Sequence, residues 1–344
     1  MNTERYREMA EVNNIGAVIG VERIREENDV DRITTSGGVF FCKTYTKAWY
    51  GRPEENSYPV QHEAGAYAAL QAHGLSTPEV VRAELHPGNP LGRPYLLLRA
   101  LEGTTIRQAL SQGRDITRLL NAAGDYLRRM HAIRFDHPGY VASAAGPDRD
   151  PNPDGWRHGH WVSSVLIDSA RSRWHAGDLD ERLCERLLQH LEANREALEA
   201  DYVPPRMLHG DCHVDQFFFN NDEVIGVVDM EVASSGAPIG DLVKFSIEAS
   251  SRLGPVEWWS PFFEGYGETP GFGLFKLRLI LSEEAEFKCQ GWQGSYAEIM
   301  GRLLRAESWS GLFGCAHSRQ NARQSRAEAT SEDAQSAASE ASDA

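Results

Sequence analysis

Apolar and polar positions alternate most clearly near the start of the chain. Residues 16–50 carry three β-rich runs, GAVIGVERI, DVDRITTS and GVFFCKTYT, with turn signals at Asn28-Asp29 and Ser36-Gly37-Gly38. The pattern predicts a small antiparallel sheet with Lys43 in its third strand, flanked by Phe40, Phe41 and Tyr45. The period then becomes helical in VQHEAGAYAALQAHG, which Gly74 stops. Pro78 opens another β-like segment, and YLLLRALEG (95–103) reads as a buried strand running into a turn. From Thr104 onward helices are expected in IRQALSQG and in DITRLLNAAGDYLRRMHAI. The second places Leu119, Ala123, Tyr126, Leu127 and Met130 on one face. Residues 136–155, rich in Pro, Gly and Asp, read as a long surface loop, followed by helices near 157–175 and 179–200. Further helices are expected near 239–250, 257–266, 272–288 and 295–312. Residues 316–344 are low in complexity and almost without large apolar side chains, the composition of a disordered tail. No internal repeat is visible.

The densest chemistry lies in 207-MLHGDCHVDQFFFNNDEVIGVVDMEVASSGAPIGDLVKF-245. Met207 and Leu208 end a short strand, and His209-Gly210-Asp211 turns off it. Phe217–Phe219 and Val224–Val228 form a hairpin through Asn220-Asn221-Asp222. Asp211 and Gln216 then stand before the hairpin and Asp229 at its far end, where all three can converge at one sheet edge. Two carboxylates and an amide oxygen are hard donors that suit Mg²⁺. At the mouth of a two-lobed cleft such a site suggests phosphoryl transfer.

A chain of 344 residues, 41% hydrophobic and 25% charged, is long enough for two globular lobes. Its net charge of −15 argues against nucleic acid or an anionic membrane as partner, and is compatible with a cationic substrate. The five scattered cysteines form no C-x-x-C pair, as expected of reduced thiols. No signal-peptide core or membrane span is visible, so a cytoplasmic protein is expected.

The 207–245 segment resembles the aminoglycoside phosphotransferase and choline kinase-like family. Its pattern H-G-D-x-x-x-x-N, hydrophobic hairpin, then Asp is met by His209, Gly210, Asp211, Gln216 and Asp229. The elements 236-GAPIGDL-242 and 127-LRRMHAI-133 also look like the family's, and the element order matches over roughly residues 15–312. The resemblance implies an α+β, bilobal protein-kinase-like fold. A small β-rich N-lobe would occupy residues 1–100 and a larger, mostly helical C-lobe residues 101–315. It further implies transfer of a phosphoryl group from ATP or GTP to an acceptor hydroxyl, assisted by Mg²⁺. Asp211 would aim the acceptor hydroxyl and take its proton, and Asp229 and Gln216 would hold the metal. Lys43, fixed by Glu63, would pair with the nucleotide phosphates, and the linker Arg99-Ala100-Leu101 would offer backbone groups to the adenine. His213, Asp215 and Glu231 are candidate acceptor contacts. An antibiotic acceptor, aminoglycoside-like or other, is the first expectation, with an amino alcohol or sugar as the alternative. The oligomeric state is not legible.

Three features depart from the family pattern. Gln216 stands where the metal-site Asn is usual, the turn 25-REEND-29 has no glycine to cradle a phosphate, and Asp215 adds negative charge beside the catalytic loop. The first two leave room for a nucleotide-binding pseudokinase, which the intact Asp211 and Asp229 oppose. Duller readings exist for several residues: Asp211 as a turn residue, Asp229 as a cap, Lys43–Glu63 as a surface ion pair. His209-x-Asp211-x-His213 might also hold a hydrolytic metal, but further His ligands are missing. Cys212 has no positive neighbour to activate it. The cluster 156-WRHGHW-161 lines an acceptor pocket or caps a helix, and Glu283, Glu284 and Glu286 read as a solvated face rather than an amine site.

Overall fold

The computed structural model describes residues 3–25, 29–45, 58–148, 158–177, 179–202, 204–290 and 296–313. The expectations for the 25–29 turn, for Trp156 and Arg157, for the side chains of 158–161, 283, 284 and 286, and for the tail lie outside them.

The three alternating runs form strands β1 (Val18–Arg25), β2 (Asp29–Thr35) and β3 (Gly38–Thr44). With β4 (Val80–Glu84) and β5 (Tyr95–Arg99) they make a five-stranded antiparallel sheet in the order β1-β2-β3-β5-β4. In β2 alternate residues Asp31, Ile33 and Thr35 are buried, as a half-covered sheet requires. The cover on one face is a helix, α1 (Thr3–Val12), that the sequence reading missed. It is mostly polar and buries only Tyr6, Met9 and Ala10, which pack with Ile33, Phe40, Cys42 and Leu97. Helix α2 (Tyr58–Ala72) carries Glu63. Its Gly65 faces the backbone of Ala142, where a Cβ would overlap the carbonyl.

The next helices form where the periodicity places them. In α3 (Ile106–Ser111) Thr105 and Gln108 close a capping box. In α4 (Thr117–His131) Leu119, Ala123, Tyr126, Leu127 and Met130 are buried together with His131. The expected 136–155 loop is corrected in part: Gly139–Ser143 is a strand, β6, and Gly146–Pro147 a short β7. Val141 and Ala142 are buried there, and two apolar residues among Gly, Ser and Asp were too few to show a period.

Strands β8 (Arg206–Leu208), β9 (Phe217–Asn220), β10 (Glu223–Val227) and β11 (Ser234–Gly236) build the functional stretch. β9 and β10 are the expected hairpin, with Asn221 at positive φ in its turn. β11 pairs with both β6 and β8 in a sheet ordered β7-β6-β11-β8. The remaining helices are α5 (His158–Ala176), α6 (Glu181–Tyr202), α7 (Ile239–Arg252), α8 (Trp259–Tyr266), α9 (Phe272–Gln290), α10 (Tyr296–Arg305) and α11 (Trp309–Phe313). The helix expected over 295–312 is thus two, separated at 306–308.

The chain forms two compact units. The first, Met1–Arg157, Glu199–Leu242 and Pro261–Thr269, contains both sheets, the hairpin, Lys43, Glu63, the linker and the candidates from Asp211 to Glu231. The second, His158–Leu198, Val243–Ser260 and Pro270–Ala344, is helical where described. Its core includes an aromatic cluster of Trp258, Phe275, Trp309 and Phe313, and the Lys276 ammonium donates to the Ala306 carbonyl at 3.2 Å.

Candidate active site

Lys43 lies on β3, opposite Leu96 of β5 and Val30 of β2. It is 7% exposed, and an ammonium so buried must be paired to remain charged. Its Nζ donates to Glu63 Oε2 at 2.7 Å and to Asp229 Oδ1 at 2.8 Å, and Glu231 Oε2 stands 3.6 Å away. Burial works against its charge, but the Asp229 and Glu63 carboxylates outweigh it and hold Lys43 well above the ordinary lysine value. Glu63 is fully buried, so this is no surface ion pair.

Two tyrosines complete the cluster, and the sequence reading assigned neither. Tyr45 follows Lys43 by two residues along the strand, and its hydroxyl donates to Glu63. Tyr67 follows Glu63 by four residues, one helical turn along α2. Its hydroxyl donates to Glu63 Oε1 at 3.0 Å and accepts from the Asp229 N–H at 3.2 Å. That last bond pins a residue whose φ of +68° is unusual for anything but glycine. Burial lifts the Glu231 carboxyl above the usual carboxylate range; Lys43 opposes this, while Asp229 and Glu63 add to it.

The turn 209–211 is held by a second set of contacts. Gly210 sits at φ +86° against the Val232 carbonyl, a place without room for a Cβ. Asp241, at the start of α7, is buried; its Oδ2 accepts from the His209 N–H at 2.6 Å and its Oδ1 from the Gly210 N–H at 2.8 Å. The His131 ring adds Nε2 at 3.2 Å, and the Tyr266 hydroxyl lies 2.8 Å from His131 Nδ1. Burial pushes the Asp241 carboxyl up, but His131 and the His209 N–H hold it below its ordinary value. The elements LRRMHAI and GAPIGDL thus meet at this turn, a role not read from their sequence. His209 Nε2 lies 3.0 Å from the Val228 carbonyl and its Nδ1 accepts from the Asp211 N–H at 3.4 Å. Both ring nitrogens are therefore occupied within the loop, which leaves neither for a hydrolytic metal. Asp211 itself is half-buried.

The rest of the loop is tied to itself. Gln216 Oε1 accepts from the His213 N–H at 2.8 Å, and the Val228 N–H donates to the Gln216 carbonyl at 3.0 Å, which sets Gln216 beside the strand end that leads to Asp229. The Gln216 Nε2 is buried with no hydrogen-bond partner among the described residues. His213 is buried, and its Nδ1 accepts from the Asp215 N–H at 3.2 Å. Asp215 pairs with Arg107 at 2.8 Å, so its charge beside the loop is compensated. Cys212 is fully buried.

In the linker, the Ala100 N–H is given to the Val39 carbonyl at 2.9 Å, and the Arg99 guanidinium turns outward to Glu79 and the Phe40 ring. Leu101, Glu102 and Gly103 make no backbone–backbone hydrogen bond among the described residues.

No three His, Cys, Asp or Glu side chains gather as a metal cage among the described residues. The donors here are instead carboxylate and amide oxygens, of the kind that hold Mg²⁺ through one or two protein ligands and leave its other positions to phosphate and water. Asp229 and Gln216 fit that chemistry, since a carbonyl oxygen that accepts one hydrogen bond keeps a second lone pair.

The model of the phosphotransferase enzyme family matches residues 21–280, more than half the chain. A homoserine kinase from Methylobacterium nodulans is 30% identical over 236 residues, which cover 67% of this chain and 64% of that protein. The match therefore spans less than two thirds of that relative's length. Among solved structures, an aminoglycoside phosphotransferase superposes with a TM-score of 0.56 at 14% identity, covering 90% of this chain and 100% of its own. An ADP-bound aminoglycoside phosphotransferase superposes at 0.52 and 14%, covering 91% and 99%. These neighbours share the α+β kinase-like fold of the phosphotransferases. None of the helices among the described residues is long and apolar enough to cross a membrane.

Proposed function

Since the chain belongs to the phosphotransferase enzyme family, we propose that it transfers the γ-phosphoryl group of ATP to a hydroxyl of a small acceptor. The observation that carries this reading is the buried lysine shared between Glu63 and Asp229, in the same unit as the constrained His209-Gly210-Asp211 turn.

The roles we infer are these. Lys43 is charged and held in place, so it can neutralise nucleotide phosphate oxygens without reorganising. Asp211 sits on a backbone fixed from both sides by His209 and Asp241. It accepts a hydrogen bond from the acceptor hydroxyl and aims its oxygen at the γ-phosphorus. As the new P–O bond forms and the bond to the β-phosphate oxygen breaks, the hydroxyl proton passes to Asp211. Asp229 and Gln216 would hold Mg²⁺, which supplies positive charge to the phosphate oxygens when bound. Asp229, now paired with Lys43, would turn one carboxylate oxygen to the metal. In the linker, Leu101 has the backbone groups open to an adenine ring, Ala100 keeps only its carbonyl, and Arg99 contributes its strand position rather than its side chain. In this reading the nucleotide binds the N-lobe, residues 1–100. Residues 101–242 supply the catalytic loop, at the start of the C-lobe of residues 101–315.

For the acceptor we infer a small hydroxylated amine or amino acid, with homoserine first. The support is the name of the relative at 30% identity, and the Glu231 carboxylate, which suits a cationic group. Antibiotic phosphotransferases near 14% identity support the fold rather than an acceptor, so antibiotics stand second.

The test is a mass-spectrometric screen of the full chain with Mg²⁺ and ATP or GTP. The acceptors would be homoserine, other amino alcohols, sugars, aminoglycosides and macrolides, with Asp211→Asn as control. The expected result is a phosphorylated homoserine or close analogue made only by the wild type. A phosphorylated antibiotic with inert homoserine would overturn the acceptor. Nucleotide binding with no product from any acceptor would favour the pseudokinase.

A further inference from the structure

A concave site lies in the first unit, and its lining includes no residue of the Lys43 cluster. Arg128, His131, Ala132, Arg134, Arg206, Tyr266, Gly267 and Glu268 line a cavity of about 410 Å³. Three guanidiniums against one carboxylate is an unusual lining in a chain whose net charge is −15. Arg134 and Arg206 face each other across an antiparallel bridge, where like charges directly opposed are destabilising. Among the described residues neither forms an ion pair, and Arg206 Nε is buried without a hydrogen-bond partner. Arg128 is tied to Asp125 at 2.5 Å. Two guanidiniums from facing residues, neither in an ion pair among the described residues, offer this cavity planar forks that match the oxygens of a phosphate.

We propose that this cavity, framed by Arg134 and Arg206, binds the phosphate group of a small phosphorylated molecule. The volume exceeds what a bare phosphate fills and lies in the range of small-ligand pockets, roughly 300–1,000 Å³. Its His131–Tyr266 wall leads onward, since His131 reaches Asp241, which holds the His209-Gly210 turn.

Isothermal titration of inorganic phosphate into the nucleotide-free full chain, at ionic strength balanced with chloride, tests the site. Wild type, Arg134→Gln, Arg134→Gln/Arg206→Gln and the charge-matched control Arg118→Gln would be compared; Arg118 is exposed, pairs with Asp222 and stands ten residues, about 15 Å along α4, before Arg128. Saturable binding is expected in wild type and Arg118→Gln. Loss of one charge-assisted contact should weaken it by about ten-fold or more, in the single as in the double variant. Arg134 is exposed, so the single variant stays informative even if the double variant does not fold. A parallel titration with glycerol phosphate separates the sources: tighter binding than phosphate assigns a phosphate ester, equal binding free phosphate. Equal phosphate affinity in Arg134→Gln and wild type, or no saturable binding beyond the chloride control, would overturn the site.

Discussion

Two ionic clusters stand in the first unit, each built around a fully buried carboxylate, Asp31 in one and Glu63 in the other. In one, Arg23 and Arg93 face Asp29 and Asp31, with Arg23 Nε at 2.5 Å from Asp31 and Arg93 at 2.8 Å from Asp29; the Tyr6 hydroxyl closes it from α1. In the other, Lys43 is shared by Glu63 and Asp229 and approached by Glu231, with Tyr45 and Tyr67 donating to Glu63. The first matches two guanidiniums to two carboxylates and fastens a helix to a sheet. The second sets one ammonium among three carboxylates, and the raised Glu231 carboxyl registers that crowding of negative charge. A cluster whose charges balance is scaffold. One that gathers carboxylates around a single cation is poised for a further positive charge and for phosphate.

Substitutions on either side should separate the two. Asp211→Asn, on the constrained turn in the same unit as the crowded cluster, is expected to lower kcat by about 10²–10⁴-fold with the melting temperature nearly unchanged. Asp229→Asn should cost turnover on a similar scale while leaving the fold at least as stable, since it removes one of three like charges. Asp31→Asn should do the opposite. Weakening the bonds of the buried Asp31 to Tyr6 and to the half-exposed Arg23 should cost about 1–3 kcal/mol, read by denaturant unfolding, with turnover per folded molecule preserved. A large activity loss at Asp31 with intact stability would erase the distinction.

Much of this was legible because charge in apolar surroundings is conspicuous. Lys43 between Phe40, Phe41 and Tyr45 demanded a carboxylate, and Glu63 on the next helix supplied it. The hairpin's apolar runs likewise fixed the spacing that brings Gln216 next to the Asp229 strand end. Helix α1 escaped because a helix that buries three side chains leaves almost no period. Strands β6 and β11 escaped because their partners are distant in sequence and their residues small. Tyr45 and Tyr67 read as ordinary core aromatics, since only the fold reveals which hydroxyl meets Glu63. Asp241 was visible as a motif residue but not as the clamp on the catalytic turn.

That clamp gives the next effect in size. Asp241→Asn keeps the shape but weakens charge-assisted bonds to two backbone N–H groups, which are worth about 1.5–3 kcal/mol. It should lower kcat more than it raises KM. Its depressed pKa adds a sign: the stability that Asp241 contributes is present above the ordinary carboxylate range and lost as pH falls through its lowered value. Tyr67→Phe removes a single hydroxyl between Glu63 and Asp229 and should cost about 1 kcal/mol of stability, with kcat falling while KM for the acceptor holds. The smallest effect belongs to Glu231→Gln. With the carboxyl raised in the fold, wild-type stability should decline as pH rises from the ordinary carboxylate range through the raised value, and the variant should flatten that decline.

The difference between the clusters is tested most directly by titrating ATP into wild type and Asp229→Asn, each with and without Mg²⁺, and comparing Kd. Mg²⁺ is expected to tighten ATP binding to the wild type by about ten-fold or more, as one lost charge-assisted contact corresponds to. It should leave the Asp229→Asn affinity nearly unchanged. An equal Mg²⁺ effect in both proteins, or none in either, would contradict the reading of this cluster as the phosphate and metal site.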